Sequence, residues 1–254
     1  GLEVAAVGLL YLLVYQKLSK GILSWHLCSE EAWKLLRDSR WLILSGLAAV
    51  VYLKIDQVML GIMIDDQAVG IYAAAARTSE VAYFIPAAIV TSFFPHLMVK
   101  KTQDPVAYRE DLQRLNDALF CAAIAIVAVV TIVTPWLIPM LFGEAYTAAV
   151  PVLVVHIWGG IFVFMRALLS KWLIAENLLK LSLLSQILGA MINVMLNGTL
   201  IPQFGPVGAA YATVVSLFVA SYAVLFLHRD LWPMARIVTN SIFLPFRLAL
   251  NGRN

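Results

Sequence analysis

Charge is scarce in this sequence. Of its 254 residues only 13% are Asp, Glu, Lys or Arg, while 62% are hydrophobic, and the mean hydropathy is +0.87. Soluble domains carry about a quarter charged residues, and a chain this poor in charge cannot surround a core with a solvated shell. Cysteine is scarcer still. Cys28 and Cys121 form no CxxC pair and have no histidine at ligand spacing, so neither a disulfide framework nor a zinc site is expected. The histidines, His26, His96, His156 and His228, build no HExxH. GxSxG, phosphate-loop and GxGxxG motifs are absent as well, so the sequence offers no enzyme, ATPase engine, cofactor or metal. A net charge of +3 is too small to argue for nucleic acid. The class that remains is an all-α polytopic membrane protein. At about 20 residues per crossing the chain holds six or seven spans.

Seven apolar runs are present, at residues 4–15, 41–63, 69–98, 118–141, 151–174, 181–201 and 207–227. The first is short. The chain opens at Gly1 inside it, without the basic leader of a signal peptide. It reads as the end of a truncated span in a longer protein, followed by six full spans. No ten-residue alternation of apolar and polar positions supports a membrane β-barrel. The organisation expected is therefore a truncated helix at 1–15, a cytoplasmic connection at 16–40, a six-helix lobe at 41–227 and a cytoplasmic tail at 228–254. Trp25, Leu27, Trp33 and Leu35 suit a surface-lying helix in the connection, and the tail is interfacial or the stub of a further span.

Orientation follows from the basic residues. Sixteen of the 18 Lys and Arg residues cluster at alternate connections and the C-terminal tail. The opposite connections, 64–68, 142–150 and 202–206, contain none. By the positive-inside rule the basic end is cytoplasmic, and so is the C-terminus. Residues 69–74 and 207–212 echo one another after short turns, which suggests that spans two–three and six–seven form similar hairpins.

Ionisable residues within a span cost a few kcal/mol each and mark candidate sites. Arg77 and Glu80, three residues apart on one helix, can pair. Arg77 lies about 12 Å and Asp56 about 10 Å from the shared non-basic end, so the three groups are expected to meet. A charge-balanced packing network is the alternative. Lys54 sits about 200° around the helix from Asp56 and is expected to snorkel outward. Ser182, Gln186, Asn193 and Asn197, spaced 4, 7 and 4, share one helical stripe. That stripe either lines a wet cavity or bonds neighbouring helices. Arg77, Glu80, Asp56, Gln186, Asn193 and Asn197 are the candidate cargo-contacting residues.

These stretches also resemble a family. Lys54–Gly61, Val69–Arg77, Ser92–Pro95, Leu141–Tyr146, and Asn193 with Asn197 leading into Ile201–Ala210 are similar, in order, to segments of bacterial polysaccharide flippases. The resemblance covers about residues 41–225 and implies the O-antigen type of the multidrug/oligosaccharidyl-lipid/polysaccharide exporter superfamily. Such proteins are two helical lobes around a central cavity. This chain would supply the C-terminal lobe and the last helix of a missing N-terminal one. They move undecaprenyl-diphosphate-linked oligosaccharide, such as the O-antigen unit of lipopolysaccharide, across the bacterial inner membrane. The implied partners are that lipid-linked oligosaccharide, membrane lipids and the missing lobe. Two alternatives are a cation-coupled multidrug exporter of the same superfamily and a membrane polymerase or ligase of glycan assembly.

Overall fold

The computed structural model describes residues 2–18 and 28–244. Among them the regular structure is entirely helical: α1 (Leu2–Leu18), α2 (Ser29–Met63), α3 (Asp66–Glu80), α4 (Phe84–Gln103), α5 (Pro105–Phe142), α6 (Ala149–His156), α7 (Gly159–Ala175), α8 (Leu179–Ser221) and α9 (Trp232–Ile242), with short 3₁₀ turns. The chain divides into two compact units, Gly1–Arg40 and Trp41–Asn254. The first contains α1 and the opening turns of α2. Trp33 and Leu35 lie exposed on α2, whereas Trp25 and Leu27 of the expected surface helix fall outside the described residues.

In the second unit five helical stretches are long and apolar enough to cross a membrane: Ser39–Met63, Asp66–Gln103, Pro105–Phe142, Ala149–Ala175 and Leu179–Phe226. The last runs 48 residues, about twice what one crossing needs. It is two limbs. Gly205 adopts φ 57° and ψ −138°, outside the helical region, between Pro202 and Pro206. A Cβ on Gly208 would overlap the Leu200 carbonyl, and one on Gly189 would stand 2.8 Å from Ala220 Cβ. Residues 200 and 208, then 189 and 220, therefore face each other, as antiparallel limbs require. Counting both limbs gives six crossings.

Turn chemistry explains where the crossings reverse. Asp65 caps α3 by accepting from the Ala68 N–H at 2.8 Å. Asp104 caps α5 from the Val106 and Ala107 N–H groups at 3.0 Å each, with Pro105 at the first helical position. Between α7 and α8 Asn177 takes φ 58°, a conformation its short polar side chain tolerates. At this basic end Lys101 bonds the Ala175 carbonyl at 2.6 Å and Glu176 at 3.0 Å, tying the foot of α4 to the foot of α7.

Two spans are broken midway. A 3₁₀ turn at Val81–Tyr83 separates α3 from α4, and a turn at Ile157 and Trp158 separates α6 from α7. The breaks face one another: Ser79 Oγ lies 2.7 Å from His156 Nδ1, and the Tyr83 ring edge lies close to Gly160. Backbone irregularity at membrane depth needs such enclosure, because hydrocarbon cannot solvate freed peptide groups.

After residue 227 the described chain packs back onto α5. Helix α9 buries Met234, Ala235, Ile237, Val238 and Ser241. Ser241 Oγ donates to Asp117 Oδ1 at 2.6 Å and accepts from Asn116 Nδ2 at 2.8 Å, while Gln113 Nε2 reaches the Ile237 carbonyl at 3.2 Å. Pro245 and Phe246, also part of the expected tail, lie beyond the described residues.

The limb contact gives a direct test. Gly189→Leu should overpack the α8 hairpin by about 1–3 kcal/mol. Its melting temperature in detergent should fall, whereas Gly198→Leu, where nothing lies within 4 Å of the added Cβ, should leave it unchanged.

Candidate functional site

Asp56 is the most enclosed charge in the second unit, with no exposed surface. It projects from α2 toward three other segments. Tyr72 of α3 donates its hydroxyl at 2.7 Å, and Thr213 of the second α8 limb donates at 2.6 Å. Asn197 of the first limb donates its amide at 2.5 Å. No Lys, Arg or His lies at ion-pair distance among the described residues. The charge is held by hydroxyl and amide dipoles, which is the condition for keeping a carboxylate out of water.

The surrounding polar stripe extends this network. Asn197 Nδ2 also donates to Asn193 Oδ1 at 3.0 Å, and Ser182 Oγ lies 3.1 Å from Ser45 Oγ on α2. Ser182 and Asn197 thus bond across to α2, whereas Asn193 bonds Asn197 on its own limb. Gln186 is half-buried on the same stripe. Two buried amide atoms, Asn193 Nδ2 and Asn197 Oδ1, have no hydrogen-bond partner. Orphans of this kind mark a place for water or an ion. Asp56, Asn193 Oδ1, Thr213 Oγ1 and the Ala209 carbonyl, which also accepts from Thr213 at 3.0 Å, form an oxygen-rich set. An enclosed carboxylate within a span is a candidate proton carrier. Among the described residues no group of three His, Cys, Asp or Glu side chains could hold a metal.

The expected meeting of Arg77, Glu80 and Asp56 does not occur. Asp56 faces into the lobe. Glu80 pairs instead with Lys54 at 3.4 Å, with side chains 30% and 52% exposed. The 200° separation of Lys54 from Asp56 places Lys54 on the outer face, within reach of the helix carrying Glu80. Arg77 is exposed on α3 and forms no ion pair or hydrogen bond with a described residue. The helix period explains this: Tyr72, Ala75, Ala76 and Ser79 occupy the buried face, so Arg77 turns outward.

Two further groups escape a reading by motif. His156 is buried beside Tyr72, with ring centroids 5.8 Å apart at 81°, and bonds Ser79. Its signal was its lone position in an apolar run. Arg166 lies inside α7, within the 151–174 run. It donates to Ser185 Oγ and to the Ala220 carbonyl, each at 2.8 Å, clasping both limbs of α8.

Comparison with known proteins agrees with this architecture. A family profile described as polysaccharide biosynthesis protein matches residues 3–151. A probable low-salt glycan biosynthesis flippase of Haloferax volcanii is 22% identical over 193 residues, covering 75% of this chain and 40% of the relative. Among solved structures, the lipid II flippase MurJ in an inward closed conformation superposes with TM-score 0.64 at 16% identity. That match covers 90% of this chain and 50% of MurJ. A MOP superfamily transporter from Pyrococcus furiosus gives TM-score 0.63 at 17% identity, over 85% of this chain and 53% of that one. These likenesses show a shared fold. The chain spans about half the length of the solved structures and 40% of the curated relative.

Asp56→Ala removes one acceptor from three buried donors. Each unsatisfied donor costs about 1–3 kcal/mol, so the variant should melt well below the parent in detergent. Thr213→Val, which removes one donor, should lose less. Equal melting of Asp56→Ala and the parent would show that the network is not load-sharing.

Proposed function

Because the chain belongs to the polysaccharide biosynthesis protein family, we propose that it forms the C-terminal lobe of a flippase for lipid-linked glycan. The cargo proposed is an undecaprenyl-diphosphate-linked oligosaccharide, such as an O-antigen unit, crossing the bacterial inner membrane. The observation that carries this reading is Arg77. It lies eleven residues into α3 from Asp66, about 16 Å along the helix, exposed and without an acidic partner among the described residues. The two acids closest to it in depth are engaged, Asp56 by its three donors and Glu80 by Lys54.

A guanidinium facing hydrocarbon at that depth costs about 3 kcal/mol on insertion scales and more in other estimates. The side chain therefore belongs on a wet face, and in this reading that face is the cleft toward the other half of the longer protein. There the planar fork can hold a diphosphate in two parallel hydrogen bonds while the polyprenyl chain stays in lipid. Asp56 has a different part. It is enclosed within the lobe, so it does not touch glycan. In this reading it carries the coupling cation, whose arrival loosens the donors from α3 and both α8 limbs and so shifts how these helices pack.

Complementation of an export-null strain tests the cargo site. Arg77→Ala should reduce surface glycan at least tenfold at unchanged membrane protein level. Arg77→Lys should retain part of the export, since charge survives without the fork. Wild-type export from Arg77→Ala would remove the cation from the mechanism. Orientation has its own check. Cysteines at Asp65, Glu144 and Gln203 should label from outside intact cells, and those at Gln103 and Asp230 should not.

A further inference from the structure

The basic end of the second unit holds a cavity of about 990 Å³. Its walls are the foot of α4, the first turns of α5, the corner between α7 and α8, and the segment from Arg229 through α9. Trp172, nearly fully buried, forms part of the floor, and Trp232, 46% exposed, stands at the rim. Arg109, Arg229 and Arg236 line it and are exposed. None of the three has a carboxylate at ion-pair distance among the described residues.

Two of the cavity's three acids are already engaged. Glu176 holds Lys101 at 3.0 Å and the Tyr108 hydroxyl at 3.3 Å. Glu110 pairs with Arg114 at 3.4 Å, whereas Asp230 is exposed and its backbone N–H donates to His228 Nδ1 at 3.3 Å. Three guanidinium charges, against the single carboxylate of Asp230, face one concave, partly apolar space. Nor is the space a gap between loose segments. The bonds from Gln113, Asn116 and Asp117 to α9, with Tyr222 to Thr239 at 3.0 Å, hold Trp232 and Arg236 in place over it.

We propose that this cavity binds the phosphate headgroup of an anionic phospholipid from the leaflet at the basic end. The argument is chemical complementarity. Guanidinium forks match phosphate oxygens. Tryptophans favour headgroup depth, and the apolar floor receives the glycerol and first acyl carbons. Basic pockets between membrane helices on this side hold anionic headgroups by the same combination. A zwitterionic lipid would bring its own cation among the arginines beside its phosphate, and free phosphate would leave the apolar floor in water. This lipid site does not depend on the flippase reading, since cargo export plays no part in it.

Native mass spectrometry of the intact protein released from detergent tests the proposal. The probes are dioctanoyl phosphatidylglycerol, dioctanoyl phosphatidylcholine and inorganic phosphate. The protein should retain phosphatidylglycerol at least tenfold more strongly than phosphatidylcholine, and equimolar phosphate should not displace it. At about fivefold per cation near a headgroup, Arg229→Gln with Arg236→Gln should weaken retention about twenty-fivefold. The corresponding double lysine variant should keep most of it, and it serves as the comparison if the glutamine variant folds poorly. Equal retention of the two lipids by the parent protein would overturn the proposal. So would loss in the lysine variant as deep as in the glutamine one, or displacement by equimolar phosphate.

Discussion

The second unit is organised around one carboxylate that cannot be left alone. Asp56 is fully enclosed, and a bare charge there would be intolerable, so four segments must converge on it. Tyr72 brings α3, Asn197 the first limb of α8, and Thr213 the second. The contacts link residues 56, 72, 197 and 213, which are far apart in the chain. Only one register of the α2–α3 hairpin against the α8 hairpin satisfies all of them. Apolar packing could be met by several registers; three directed hydrogen bonds to one carboxylate cannot. In lipid, where helices gain little from burying apolar surface against one another, such polar contacts carry much of the specificity.

Small residues make that convergence possible. Gly189 lets the two limbs of α8 approach until an added Cβ would crowd Ala220 and the Ser216 carbonyl. Ala74, Ala75 and Ala76 are buried on α3 and leave room for α6. The same hairpin is closed at its end by Gly205, whose positive φ permits the reversal between two prolines. The mid-span breaks then fall beside the network, with His156 against Tyr72 and Ser79. Groups that hold Asp56 are thus in contact with the points where two spans lose regular helix. A change of occupancy at the carboxylate has short routes into the backbone.

Much of the architecture was legible because membrane spans are written in composition. Apolar run length located the crossings, and even the merged helix at 179–221 was divisible, since Pro202, Gly205 and Pro206 interrupt it. The site was legible only in part. Spacing put Asn193 and Asn197 on one face and Lys54 opposite Asp56, and the structure has both. Depth along the helix, however, says nothing about azimuth between helices. Arg77, Glu80 and Asp56 stand at similar depths but point in different directions, so Lys54 rather than Arg77 meets Glu80. Arg166 was legible as a residue of the 151–174 run, but its contacts with Ser185 and Ala220 on the α8 limbs were not. The docking of α9 rests on Gln113, Asn116 and Asp117, ordinary polar residues whose role no local pattern announces.

The two intramembrane arginines sharpen the distinction between structural and functional charge. Arg166 shows how this fold treats a cation it needs for packing. The side chain is partly enclosed, and its guanidinium is directed at a backbone carbonyl and a serine on two limbs of one hairpin. Removing it would free a carbonyl that hydrocarbon cannot satisfy. Arg77 has none of these features. Its helix buries alanines, a serine and Tyr72 on the opposite side, and no described group receives its donors. A packing role therefore has nothing to act through within this unit. Yet an arginine carries a standing insertion penalty wherever a leucine would have none. In the proposed reading, a cost that stabilises nothing inside the lobe is offset by an anionic group in a wet cleft outside it.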